Sequence, residues 1–205
     1  MKRVIGVLLG GFFLWSATSC SDQNEQSNEE VSNDSTEVST QPVVDYLALG
    51  KEIAQLSFKT LGGELKSQIA EGGPVHAISF CNENAIPLTD SLAVAYSAKI
   101  ERVAVDYRNP KNRAVGFDTD VYMSYSAQLS DGKMVKPKLH TNEGGQTVFY
   151  APIILKAQCI VCHGEPIDEI NEETLSKIAE LYPDDLATGF SEGDLRGLWK
   201  ITFNK

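Results

Sequence analysis

The sequence predicts an α+β fold: N-terminal helices, then an antiparallel sheet with flanking helices. Two observations carry this. Val44, Leu47, Ile53, Leu56, Leu61 and Leu65 recur mostly at helical spacing, whereas from about residue 100 short alternating runs are separated by turn residues. Neither an internal repeat nor a sustained heptad is present, which disfavours solenoids and coiled coils. A length of 205 residues suits one globular domain with short extra segments.

In chain order, Lys2 and Arg3 form a charged start, Val4 to Trp15 is apolar, and Ala17-Thr18-Ser19 ends at Cys20. This reads as an export signal over residues 1–19. A signal that stops at a cysteine after small residues resembles the bacterial lipoprotein signal, in which Cys20 is acylated and becomes the new N-terminus. An ordinary secretory signal is the other reading, and both export the chain. Residues 20–42 hold Asp22, Glu25, Glu29, Glu30, Asp34 and Glu37 with no basic residue and almost nothing to bury. They are expected to form an extended, disordered acidic tether.

Residues 43–205 are expected to form the folded domain. Its first helical region runs to the break at Glu71-Gly72-Gly73-Pro74, with Gly62-Gly63 as an interruption. A second helix over Val75 to Ala85 carries Cys81, and Pro87 is expected to stop or restart it. Strands are expected at residues 100–105, 134–140, 147–155 and 198–203, and helices at residues 118–129 and 172–181.

The chemistry centres on Cys159-Ile160-Val161-Cys162-His163, a C-x-x-C-H segment. Such a segment attaches a c-type haem: the two thiols add across the vinyl groups and the adjacent imidazole reaches the iron. A thioredoxin-like pair would open a long helix after a first strand, but this one lies late and is soon followed by Gly164 and Pro166. A structural zinc site would need a second closely spaced pair, which Cys81, His76 and His140 do not supply. Export also favours haem, because cytochrome c maturation is extracytoplasmic.

Haem iron usually takes a second axial ligand unless the site binds gas or peroxide, and the candidates are Met123, Met134, His76, His140 and Cys81. With the other cysteines assigned, Cys81 is an unpaired thiol in an oxidising compartment, and two readings of it stand side by side: an iron ligand, or a small buried residue. Arg108, Arg113 and Arg196 are candidate partners for haem propionates, with loop-fixing or surface roles as the alternative.

Further motifs carry a family resemblance. They are Glu71 to Pro74 leading into Ala77-Ile78-Ser79-Phe80-Cys81, Tyr107-Arg108-Asn109-Pro110-Lys111-Asn112, the C-x-x-C-H segment, Tyr182 to Phe190, and Glu192 to Gly197. In this order they resemble the PAS-like c-haem domain family first described from a cyanobacterial haem protein and long catalogued as a domain of unknown function. The resemblance implies a PAS-like sheet flanked by helices, one covalent haem c, and an unusual histidine and cysteine pair on the iron. By position the cysteine is Cys81. It also implies redox or gas sensing.

The expected function is therefore an extracytoplasmic mono-haem module that senses redox state or a small diatomic ligand, held to a bacterial membrane through lipid on Cys20. The alternative is a periplasmic monohaem electron carrier with a redox partner protein. A thiol oxidoreductase is a third class, predicting a reversible Cys159–Cys162 disulfide. A formal net charge of -10 without a basic cluster argues against nucleic acid. The Asp184-Asp185 pair reads as a loop or cap device, and the sequence shows no hydrolase signature.

Overall fold

A computed structural model describes residues 44–204. The expectations for the export signal, Cys20 and the acidic tether lie outside the described residues.

Helix α1 spans Tyr46–Ala95. Asp45 caps its start, accepting from the backbone N–H groups of Leu47 and Ala48 at 3.0 Å each. Contrary to expectation, the helix runs through both Gly62-Gly63 and Pro87. Each glycine costs about 1 kcal/mol of helix propensity, which burial of Ile53 and Ala54 on the sheet offsets. Pro87 removes one helical donor, but Ser91 and Thr89 bond back to the carbonyls of Pro87 and Ala85 and hold the turns around it.

The break expected near Pro74 is present as a kink. Gly73 has φ 72° and ψ -173°, a combination essentially confined to glycine. At Gly72 a Cβ would approach His76 Cβ to 2.7 Å, so the neighbouring position also excludes a side chain. Pro74 then restarts the helix where its missing N–H costs nothing. The second half of α1, carrying Cys81, thereby takes its own direction.

Strands β1 (Ala98–Val103), β2 (Lys138–Thr141), β3 (Thr147–Ile154) and β4 (Leu195–Phe203) form one antiparallel sheet in the order β1-β4-β3-β2. Helix α2 (Phe117–Ser130) follows β1, and α3 (Ile160–His163) and α4 (Glu172–Leu181) lie between β3 and β4. The fold is thus α+β, as the sequence predicts. Strand β1 ends at Val103 rather than Val105, because Ala104 turns away to pair with Asn112 and Ala114 through 2.8 Å backbone bonds. Strand β2 begins at Lys138 rather than near Met134, which is 85% exposed and has no packing to order it.

Both sheet faces are covered. Ala98, Ile100, Phe149, Ala151, Trp199, Ile201 and Phe203 pack toward Ile53 and Ala54 of α1. The alternate residues Val103, Val148, Tyr150 and Leu198 pack toward Val121, Tyr122 and Tyr125 of α2. This is why β3 reads as an almost unbroken apolar run. Asp118 pins α2 to the sheet: it is buried, accepts from Tyr150 Oη at 2.7 Å and pairs with Lys200 Nζ at 2.8 Å. A third cluster, Ile78, Ile170, Ile178 and Tyr182, joins the second half of α1 to α4, with Cys162 packed against it.

Candidate functional site

The C-x-x-C-H segment forms a 3-10 turn, Ala157–Cys159, that runs directly into the one-turn helix α3. Gly164 ends it with a 2.8 Å bond from its N–H to Ile160 O. A Cβ there would collide with Ile160 and Glu169, so only glycine closes the turn this tightly. The segment does not open a long helix, unlike a thioredoxin-type pair.

The loop after α4 clasps this turn. Phe190 N–H donates to His163 O at 2.9 Å and Gly189 N–H to Gly164 O at 2.8 Å. Arg108 locks the clasp. Its guanidinium pairs with both Asp185 oxygens, at 3.0 and 3.2 Å, and donates to Cys162 O at 2.7 Å and Ala187 O at 3.1 Å. Asp185 also accepts from Ala187 N–H at 3.1 Å. Thus Arg108 fixes the loop, the alternative its sequence reading left beside a propionate, and Asp185 is the loop device its sequence context suggested. Arg113 is exposed.

His163 is oriented from two sides. Its Nδ1 lies 2.7 Å from Ala187 O. A carbonyl can only accept, so Nδ1 carries the proton and Nε2 is left as the free donor. Phe190 stands edge-on to the imidazole, with ring centroids 6.5 Å apart. Burial, with Arg196 and Arg108 close by, holds the His163 pKa well below the ordinary imidazole value. The ring is therefore neutral and ready to bind a metal.

Cys81 faces this assembly from the second half of α1. It and Cys162 lie within electrostatic reach of each other, and burial raises both thiols, Cys162 to about 11. Asn82 ties the neighbouring turn to Leu181 O at 3.4 Å. The other candidate ligands are not brought here. His76 bonds Gln68 Oε1 at 2.8 Å across the kink, and His140 stacks on Phe117 at 3.8 Å on the α2 side of the sheet. Met123 and Met134 are exposed. Among the described residues, no three His, Cys, Asp or Glu side chains converge as a metal-ion site. The donors present are two neighbouring thiols, one imidazole nitrogen and one further sulfur, a set suited to haem attachment and axial ligation rather than to a hard cation.

Two more guanidiniums converge on the site. Arg196 donates to Asp106 O at 2.8 Å and lies 5.7 Å from the Phe190 ring centre, with its Nε buried and unpartnered. Burial first, then Arg108, brings its pKa down to about 10. Arg102 of β1 lies within electrostatic reach of Cys81 and Tyr182 and makes no hydrogen bond or ion pair among the described residues. Sequence reasoning missed it. The available signal was phase: Arg102 follows Ala98 and Ile100 at period two, on the face that packs against α1.

No curated protein matches the chain. Among solved structures, the fold is similar to the one described as the crystal structure of the cyanobacterial heme-protein Tll0287. That likeness has a TM-score of 0.58 at 22% sequence identity and covers 79% of this chain and 98% of the other. The Tll0287-like family model matches residues 16–204, nearly the whole sequence, and the chain belongs to the Tll0287-like family.

Proposed function

We propose that this chain is an extracytoplasmic mono-haem c-type module that responds to redox state or to a small diatomic ligand, anchored to a bacterial membrane by lipid on Cys20. Cys159 and Cys162 are the attachment thiols, and His163 and Cys81 are the axial ligands. The observation that carries this is the hydrogen bond from His163 Nδ1 to Ala187 O, at 2.7 Å, beside two free thiols. It fixes the tautomer that presents Nε2, as the second partner of a metal-bound histidine does. The similar structure, described as that of a heme-protein, supports the same cofactor.

Bound haem supplies one-electron redox chemistry and affinity for small diatomic ligands. The protein's own part is to orient and to shield. Arg108 keeps the His163 turn against the 182–190 loop, Ala187 fixes the imidazole, and the cluster around Ile78 and Tyr182 packs against Cys162. A sulfur donor favours the oxidised state and a low reduction potential. The second half of α1 bears Cys81, so a change at that sulfur bears directly on the helix.

The test is a pyridine haemochrome spectrum and intact mass on protein from a maturation-competent host. One covalent haem is expected, and a colourless sample weighing only polypeptide and lipid overturns the proposal. Cys81→Ala should shift the Soret band and raise the midpoint potential; an unchanged spectrum and potential remove Cys81 as a ligand. Stopped-flow reduction with carbon monoxide or nitric oxide should show ligand binding. Fast electron exchange with no binding and no change of shape returns the electron-carrier reading.

A further inference from the structure

Three guanidiniums, those of Arg102, Arg108 and Arg196, lie within electrostatic reach of His163, and their charges are not equally matched. Arg108 has a carboxylate of its own in Asp185. Arg196 has only a backbone carbonyl, Asp106 O, and keeps a buried Nε without an acceptor. Arg102 has no acceptor among the described residues.

The setting of Arg102 makes this unusual. Residues of β1 alternate between faces, and Ala98 and Ile100, in phase with it, belong to the apolar cluster beneath α1. Its register partner is Trp199, from the same cluster. An apolar side chain is what the alternation calls for, yet a cation stands there. It lines a cavity of about 220 Å³ between α1 and β1 that also reaches Thr89, Lys111 and Asn112. Burial lowers its pKa, with Cys81 and Tyr182 as the opposing influences. Partial burial of a cation without an ion-pair partner is unfavourable, and a bound anion offsets it.

Resting on the haem reading above, we infer that Arg102 and Arg196 are the anion-holding residues of this site, each receiving one of the two carboxylates of the bound porphyrin. The count agrees: two unmatched guanidiniums meet two propionates. Arginine also suits the task because its planar fork donates two parallel bonds to one carboxylate. The charged and titratable groups facing the pair are Cys81, Tyr182, Asp185, Arg108 and Tyr122, with Asp90, Lys99, Glu101 and Lys111 lining the same cavity as Arg102; Arg108 holds Asp185, Lys99 holds Glu101, and neither Asp90 nor Glu101 is ion-paired with Arg102.

The experiment uses haem-loaded protein with Arg102→Gln, Arg196→Gln and the surface control Arg113→Gln. Midpoint potential is followed from pH 5 to 9, with resonance Raman spectra of the propionate bending modes. In the wild type and R113Q, paired carboxylates stay ionised and the potential is flat. Loss of a guanidinium partner raises a carboxyl pKa by about one to three units, so R102Q and R196Q should show a potential that falls as pH rises through the new pKa, with shifted bending bands. R102K keeps the charge and should stay nearly flat, which separates an electrostatic role from a packing one if R102Q folds poorly. Profiles and bands of R102Q or R102K that show no dependence on the charge at this position overturn the inference while leaving the haem reading intact. A wild-type sample without haem defeats the underlying reading instead.

Discussion

Arg108→Gln tests the central tie of the site, because one side chain there joins three segments. The native guanidinium makes a two-pronged pair with Asp185 and two further bonds, to Cys162 O at 2.7 Å and Ala187 O at 3.1 Å. The two side chains are only 12% and 8% exposed, so screening by solvent is weak. Glutamine is too short to reproduce the fork and leaves the Asp185 carboxylate without its cation. Breaking a buried pair on one side costs about 3–5 kcal/mol, a large share of the roughly 5–15 kcal/mol that holds a domain folded. With a urea m-value of about 2 kcal/mol/M, the unfolding midpoint should fall by about 2 M. Since Ala187 O also orients His163, the Soret band of the loaded protein should broaden in the same variant. Adding Asp185→Asn removes the stranded charge and should recover part of the loss, giving a coupling energy of at least about 1.5 kcal/mol. A loss below about 1 kcal/mol with no coupling is the behaviour of an exposed ion pair, and would refute the role given to Arg108.

The other predictions concern the kink and the buried phenols. Gly73→Ala, at φ 72°, should cost about 1–3 kcal/mol and perturb the Cys81-dependent spectrum by redirecting the second half of α1. Gly63→Ala meets nothing within 4 Å in a regular helix, so it should stabilise by about 0.5–1 kcal/mol, seen as a higher Tm; equal effects from the two substitutions would deny that the kink is a built feature. Burial pushes Tyr125 and Tyr182 up to about 12, above an unfolded value of about 10. For a phenol this means that the unfolded chain loses its proton first, so stability holds below pH 10 and falls as pH rises from there to 12. Tyr125→Phe should flatten that fall by about 1.4 kcal/mol per pH unit in urea titrations, whereas parallel wild-type and variant curves would count against it.

What the sequence showed, and what it hid, follows from how many partners each signal needs. The Cys159 to His163 segment is local chemistry and is read without a fold. Helices α2 and α4 and strand β3 lie within a residue or two of their expected positions, because their patterns repeat over short spans. Gly62-Gly63 and Pro87 misled because local propensity was weighed without the sheet that α1 packs on, which is worth more than the penalties they carry. Arg108 shows the same limit from the other side. Its motif marks it, but its pairing with Asp185 depends on a contact spanning 77 positions. Arg102 was hardest to see, since a charged residue in a strand reads as solvent-facing until both faces of the sheet are known to be covered. Once β1 is registered against β4, Arg102 lies in phase with the apolar face opposite Trp199. A cation kept on such a face, against the pattern that formed the strand, is retained at a cost to stability, and such local departures from a fold's own rules are where function is to be sought.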